Sequence, residues 1–355
     1  MRDPAPISAR DWGNADSRPR DAEGTVKIPG AKESYVGRQI TVGIIICLAP
    51  FLLMGRVNAQ TTPQEQCSLA AVSRLMGSNN KVCDERIVQE MARRGHAFEQ
   101  NEMGIASILA IGPDYDAREA LQWFHDAAQH GYAPAQVNLA AMYINGWGTP
   151  TNYALALHWL HAAADQHFAR SYYNLGILFL EGKGVRKDNN EAFRWFQLGA
   201  EAGDSSAQTN LGYMHDQGLA CLRNVVTAAV WYRKAAEAGN PLGENNLADM
   251  YLRGEGVPQD YAAAFLWFQK AAAQGHTGAR IKLAYLYAEG KGTRKDPEAA
   301  YSWILAAAMA GDSRGNDSLH SLERGLTEEQ LARGRERARQ LCQQEQQFTA
   351  ETFAQ

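Results

Sequence analysis

Six tryptophans, Trp123, Trp159, Trp195, Trp231, Trp267 and Trp303, stand 36 residues apart with no insertion between them. Leu139, Leu175, Leu211, Leu247 and Leu283 keep the same step, Leu319 extends it, and Met103 with Gly104 fills the corresponding place in a degenerate first unit. Such self-similarity marks a stacked-repeat architecture, because one unit of this size cannot bury its apolar face alone and needs a neighbour to do so. The 355 residues are therefore not expected to divide into the two or three closed globules that length alone suggests. They are read instead as an array of six units over 99–314.

Within a unit the frame is A-x-x-N-L-G/A-x-x-Y, then G-x-G, then D/N-x-x-x-A-x-x-W-x-x-x-A-A-x-x-G, which predicts two helices and two turns. In the first helix Leu175 and Phe179, or Leu139 and Tyr143, lie four apart and share a face. A small residue beside each leucine, Ala140, Gly176, Gly212, Ala248 or Ala284, permits close approach of the partner helix. Glycine pairs such as Gly182 and Gly184 end that helix. The second helix starts at Asp116, Asn152, Asp188, Asn224, Asp260 or Asp296, whose side-chain oxygens suit an N-cap, and Glu119 and Glu191 have capping-box spacing to theirs. The tryptophans and leucines together are expected to form the repeat core.

The frame of Leu-Gly-x-x-Tyr, Gly-x-Gly-Val, Asp and Ala-x-x-Trp, met at nearly every position by LGILFLEGKGVRKDNNEAFRWFQLGAEAG from Leu175 to Gly203, resembles the Sel-one-like repeat, a tetratricopeptide-like family. The resemblance implies an all-α fold: a right-handed α-α superhelical solenoid of about six 36-residue helix-turn-helix repeats with helical caps, 60–98 before the array and 315–355, ending in a frayed tail, after it. Three departures stand out. His167 replaces a turn glycine, Ala220 replaces a loop glycine beside Cys221, and Ser107 replaces the first unit's aromatic residue. The joints at these places are expected to differ in angle.

Residues 1–38 are polar, rich in Asp, Arg, Pro, Gly and Ser, and are expected to be disordered. Residues 39–59 hold the uncharged run Ile40 to Met54 and then Val57, Asn58 and Ala59, the layout of a cleaved signal peptide, with an uncleaved anchor as the alternative. Val36 is the expected true start, since the segment from Val36 to Ala59 makes a conventional leader. Either reading of the apolar run puts the repeats in the periplasm or outside the cell. Cys67 and Cys83, 16 apart, are the disulfide candidate for such a compartment, with buried free thiols as the alternative. No CxxC spacing suggests structural zinc.

Net charge is -4, with 35 basic against 39 acidic residues, which gives no field for gripping nucleic acid. There is no nucleophile elbow and no HExxH, so no catalytic residue, metal or cofactor is assigned. His125, His158 and His161 are the one histidine grouping; a solvated face accounts for it, and a transition-metal cluster is the alternative. Members of the resembled family act as adaptors. The resemblance thus implies a non-enzymatic, monomeric scaffold of the bacterial cell envelope that binds a protein partner through a concave face, touching membrane only through an uncleaved N-terminal segment. Asn138, Tyr172, Asn174, Asn210, Asn246 and Lys282 are candidate contacts on that face, although the regular spacing of the asparagines favours a structural ladder bonding backbone groups. An envelope enzyme acting on cell-wall fragments or β-lactams and a scaffold for polysaccharide export stay open as alternatives.

Overall fold

The computed structural model describes residues 85–109 and 116–354. The expectations for 1–38, for 39–59 and for the Cys67 and Cys83 pair fall outside them. No strand occurs among the described residues, and no helix there is long and apolar enough to cross a membrane. The helices are α1 (Glu85–Arg93), α2 (Ala97–Leu109), α3 (Ala117–Gln129), α4 (Ala133–Asn145), α5 (Tyr153–Asp165), α6 (Ala169–Glu181), α7 (Asn189–Glu201) and α8 (Ser205–Gln217). They continue as α9 (Val225–Glu237), α10 (Pro241–Arg253), α11 (Tyr261–Ala273), α12 (Thr277–Glu289), α13 (Pro297–Met309), α14 (Asn316–Gly325) and α15 (Glu328–Ala354). Each helix from α2 to α13 has 13 residues, a rod of about 20 Å. Even-numbered helices in that run are the first helices of the repeat and odd-numbered ones the second. The described residues fall into two compact units, 85–207 and 208–348, with the boundary inside α8.

The local chemistry that makes each hairpin is uniform. Asp116, Asn152, Asp188, Asn224, Asp260 and Asp296 all sit in extended backbone and accept from amides in the first turn of the second helix. The capping-box acids do not close the box. The backbone N–H of each cap residue instead donates to the carbonyl nine residues back, on the first helix, as in Asp188 to Phe179 at 2.9 Å and Asn224 to His215 at 2.8 Å. That bond ties the two helices of a hairpin together, so Glu191 is left to pair with Arg194 and Glu119 to accept from the Trp123 indole. At Thr327, where no first helix offers a carbonyl in this way, the box is reciprocal: Thr327 N donates to Gln330 Oε1 and Gln330 N to Thr327 Oγ1.

The second glycine of each G-x-G loop holds a left-handed backbone and also stands close against the preceding unit. A Cβ at Gly148, Gly256 or Gly292 would strike the carbonyl of Ala117, Val225 or Tyr261, the opening residue of the preceding unit's second helix. His167 and Ala220 replace glycines and stay in the left-handed region, with φ values of 58° and 60° against 78° to 91° and 66° to 72° in the sibling glycines. At both places the left-handed backbone is held by an L-residue, at the cost of local strain.

Candidate interaction surface

Leu139, Leu175, Leu211, Leu247 and Leu283 are all at or below 1% exposure. The indoles lie at the margin instead. Only Trp303 is buried, while Trp123, Trp159, Trp195, Trp231 and Trp267 are half-buried. The deep position of the second helix is the residue after each indole: Phe124, Leu160, Phe196, Tyr232, Phe268 and Ile304 are nearly or wholly inaccessible. Their rings or branches press on the small residue of the first helix. A Cβ at Gly104, Gly176 or Gly212 would come within 2.7, 2.6 or 2.8 Å of the Phe124, Phe196 or Tyr232 ring.

A half-buried indole exposes an edge, and its neighbours are polar. His125 meets Trp159 edge-on at 6.3 Å, His158 meets the same ring at 5.0 Å, and His161 meets Trp195 at 5.6 Å. Lys234 and Lys270 lie over Trp231 and Trp267 at 4.1 and 4.2 Å. The grouped histidines are therefore interleaved with indoles, and among the described residues no group of three His, Cys, Asp or Glu side chains is arranged to hold a metal.

The first helices carry a second polar row that the repeat frame does not reveal. Gln100 and Gln136 donate their amides to the carbonyls of Ala92 and Ala128, Tyr172 its hydroxyl to Ala164, and Arg280 its Nε to Ala272, each eight residues back. These are carbonyls at the end of the preceding helix, which have no partner inside it. The signal was available: Gln100, Gln136, Tyr172, Gln208, Glu244 and Arg280 are polar at one period, at a place otherwise flanked by core residues. At two places in the asparagine row, Asn138 and Asn246, the partner is a side chain. Asn138 Nδ2 donates to the Asn101 side chain at 2.9 Å, Asn101 to Glu102 at 3.1 Å, and Asn245 to Asn246 at 3.2 Å. These are bonds between side chains, not to backbone. Asn138 is wholly buried and Asn174 and Tyr172 nearly so, whereas Asn210, Asn246 and Lys282 keep a solvent-facing part.

Residues 100–132, 133–168, 169–204, 205–240, 241–276 and 278–312 each match the Sel1 repeat, together more than half of the chain. The chain belongs to the Sel1 repeat family. Among solved structures it is similar to a Sel1 repeat protein from Oxalobacter formigenes, at 30% identity and TM-score 0.58, covering 61% of this chain and 89% of that one. It also matches c5321, a protective antigen of uropathogenic Escherichia coli displaying an SLR fold, at 22% identity and TM-score 0.45, covering 87% and 76%. A third match is the immunity protein Pa5087 from Pseudomonas aeruginosa, at 18% identity and TM-score 0.44, covering 59% and 82%. No curated protein matches. Sel1 repeat proteins are in general non-catalytic mediators of protein–protein interaction.

Several Sel1 repeats bury titratable groups. Burial pushes the carboxyls of Glu102 and Glu244 up to about 7. Glu244 accepts from Gln274 Nε2 at 2.8 Å, as Gln136 accepts from Gln166 at the matching place in an earlier unit. His276 caps α12 by accepting the Ala279 N–H on Nδ1, a bond only the unprotonated ring nitrogen can make, and burial holds its pKa down to about 3. Arg170 and Asp204 form a buried pair at 3.1 Å, the arginine also lying over Tyr173. Cys221 and Cys342 are free thiols; Cys221 lies 3.5 Å from His215 Nδ1, and burial raises the thiol and lowers the imidazole. Both shifts favour the neutral forms, which gives this pair no activated thiolate.

Proposed function

We propose that this chain is a non-enzymatic scaffold that holds a partner protein, and that it does so in the bacterial envelope after export. The observation that carries the reading is a contrast between neighbouring positions. The deep leucines and the marginal indoles recur in kind, while the residue two places beyond each indole, exposed in four units and half-buried in the first and last, changes chemistry from unit to unit: His125, His161, Gln197, Arg233, Gln269, Leu305. A constant frame with varied outer side chains is what a recognition surface on a repeat array needs. The first-helix positions Asn210, Asn246 and Lys282 vary less in kind but keep polar groups toward solvent, and they are the contacts assigned to a concave face. Export rests on the apolar run Ile40 to Met54 and the small-residue site after it.

A photo-crosslinking residue placed at Asn210 or Asn246, followed by mass spectrometry of adducts formed in cells, tests the reading. A discrete protein adduct from these positions, absent when the crosslinker replaces an exposed residue such as Asp165, is the expected result. Turnover of cell-wall fragments or a β-lactam by the purified chain, without such an adduct, would replace the scaffold reading with an enzymatic one.

A further inference from the structure

Along the second helices, the residue before each indole is Gln122, His158, Arg194, Val230, Leu266 and Ser302, and the residue four further on is Asp126, Ala162, Leu198, Lys234, Lys270 and Ala306. Only the fourth and fifth units join an aliphatic side chain to a lysine one turn later. Val230 is 47% exposed and Leu266 58%; Val226, one turn before Val230, is 60% exposed, and Leu222, just ahead of α9, 92%. Single exposed aliphatics need no explanation. These are not scattered: Val226 and Val230 share one face of α9, and Leu266 holds the place of Val230 on the next second helix.

The sixth unit shows what this place in the fold accepts. There the chain covers it with its own α15. Ser302, the counterpart of Val230 and Leu266, is wholly buried, and its hydroxyl lies 3.5 Å from where a Cβ on Gly334 of α15 would stand. Glu298, the counterpart of Val226, receives the Arg333 guanidinium at 2.7 Å. The face of a second helix at these positions thus seats another helix, with charge matched across the contact.

In the fourth and fifth units the charge is inverted. The apolar residues are bordered by Arg233, Lys234 and Lys270, the two ammoniums resting on indoles. Of the acids nearby, Asp260 is occupied as the cap of α11, Asp216 and Glu255 face Arg223, and Glu244, which interacts with Lys270, is itself buried; Arg233 donates to the Tyr251 hydroxyl, and Glu237 is the exposed acid left on α9. We propose that the solvent faces of α9 and α11 form a docking surface for an acidic amphipathic helix of a partner protein. A second copy's α15 is a poorer occupant, because its stretch 331–340, the part that seats on α13 through Arg333, carries Arg333, Arg335, Arg337 and Arg339 against the one acid Glu336. The surface lies on second helices, so it stands or falls separately from the first-helix contacts proposed above.

The test uses the full chain and two labelled peptides of about 18 residues, long enough to form a helix on binding, both with leucines at helical spacing; one carries glutamates elsewhere and the other lysines. The acidic peptide should bind, gain helical circular dichroism and be weakened at least about ten-fold by Val230→Ser with Leu266→Ser, a loss of about 1.4 kcal/mol. Lys234→Glu with Lys270→Glu should transfer the preference to the basic peptide. Thermal melts of both variants should match the parent, since the changed side chains are exposed. Equal binding of the two peptides, or indifference to the variants, overturns the proposal. So does binding to phosphatidylglycerol vesicles that is lost in the same variants without peptide binding, which would make the surface a lipid contact, or self-association that they abolish, which would make it a dimer interface.

Discussion

At Ala220 an L-residue holds a φ of 60° that glycine holds in the sibling loops, a conformation that costs a side chain roughly 1–2 kcal/mol. Ala220→Gly should therefore raise stability by about 1 kcal/mol in urea unfolding, the gain being cut by the added freedom of the unfolded chain; an unchanged midpoint would mean that the loop does not carry this strain. His167 is a weaker case for the same change, since its ring bonds the Tyr172 hydroxyl at 3.0 Å. Glu244 is a different misfit, an acid at a place where Gln100 and Gln136 donate to a helix-end carbonyl. Its folded pKa of about 7 lies above the ordinary 4.5, so the stability it contributes is complete below about pH 4.5 and is lost as pH rises through 7. Glu244→Gln should match the parent near pH 5 and exceed it at pH 8, by on the order of 1 kcal/mol. Melts at the two pH values decide this, and an equal difference at both would show that the carboxyl is not titrating in the folded chain.

At the scale of the helix, the pairing of a small residue with the side chain behind the indole sets how closely the two helices of a hairpin approach. Gly104, Gly176 and Gly212 face Phe124, Phe196 and Tyr232, whereas Ala140 and Ala284 occur in units whose deep residue is Leu160 or Ile304; the unit of Ala248 and Phe268 is the exception. Gly176→Ala should cost about 1–3 kcal/mol through overpacking against Phe196. Phe196→Leu in the same chain should recover part of that loss, and a double-mutant cycle with no coupling would refute the pairing. The same pair explains what was legible in the sequence. Caps, turn glycines and the leucine row arise from single-residue chemistry and showed in the spacing. The indole was conspicuous because its type never changes, yet it stands at the rim. The deep position changes type, Phe, Leu, Tyr or Ile, largely in step with its partner across the hairpin, so identity-based periodicity passed over it. The polar row at Gln100 and Gln136 was hidden for a related reason: its function, donating to a carbonyl eight residues back, is shared by Gln, Tyr and Arg, which look unrelated as letters. The side-chain bonds of Asn101 and Asn138 join neighbouring first helices, and spacing within one helix does not report them.

At the scale of the array, each unit completes its neighbour, and the last one is completed by α14 and α15. Tyr301 and Ser302 are buried there, with Leu322, Leu331 and Ala338 inaccessible on the covering helices. Glu298 and Arg333 pin α15 in register, and Arg333 also holds Glu329 one turn earlier on its own helix. A chain ending after Leu326 would leave Tyr301 and the α13 face open to water. In a repeat array stability is close to a sum of unit and nearest-neighbour contributions, so the loss should be felt locally rather than shared equally. Hydrogen exchange of the truncated chain should show amides of α12 to α14 losing protection while those of α3 to α6 keep theirs, with the lower part of the thermal transition moving down in temperature. Uniform loss of protection along all these helices would mean that the described residues unfold as one cooperative block, and that the nearest-neighbour account of their stability is wrong.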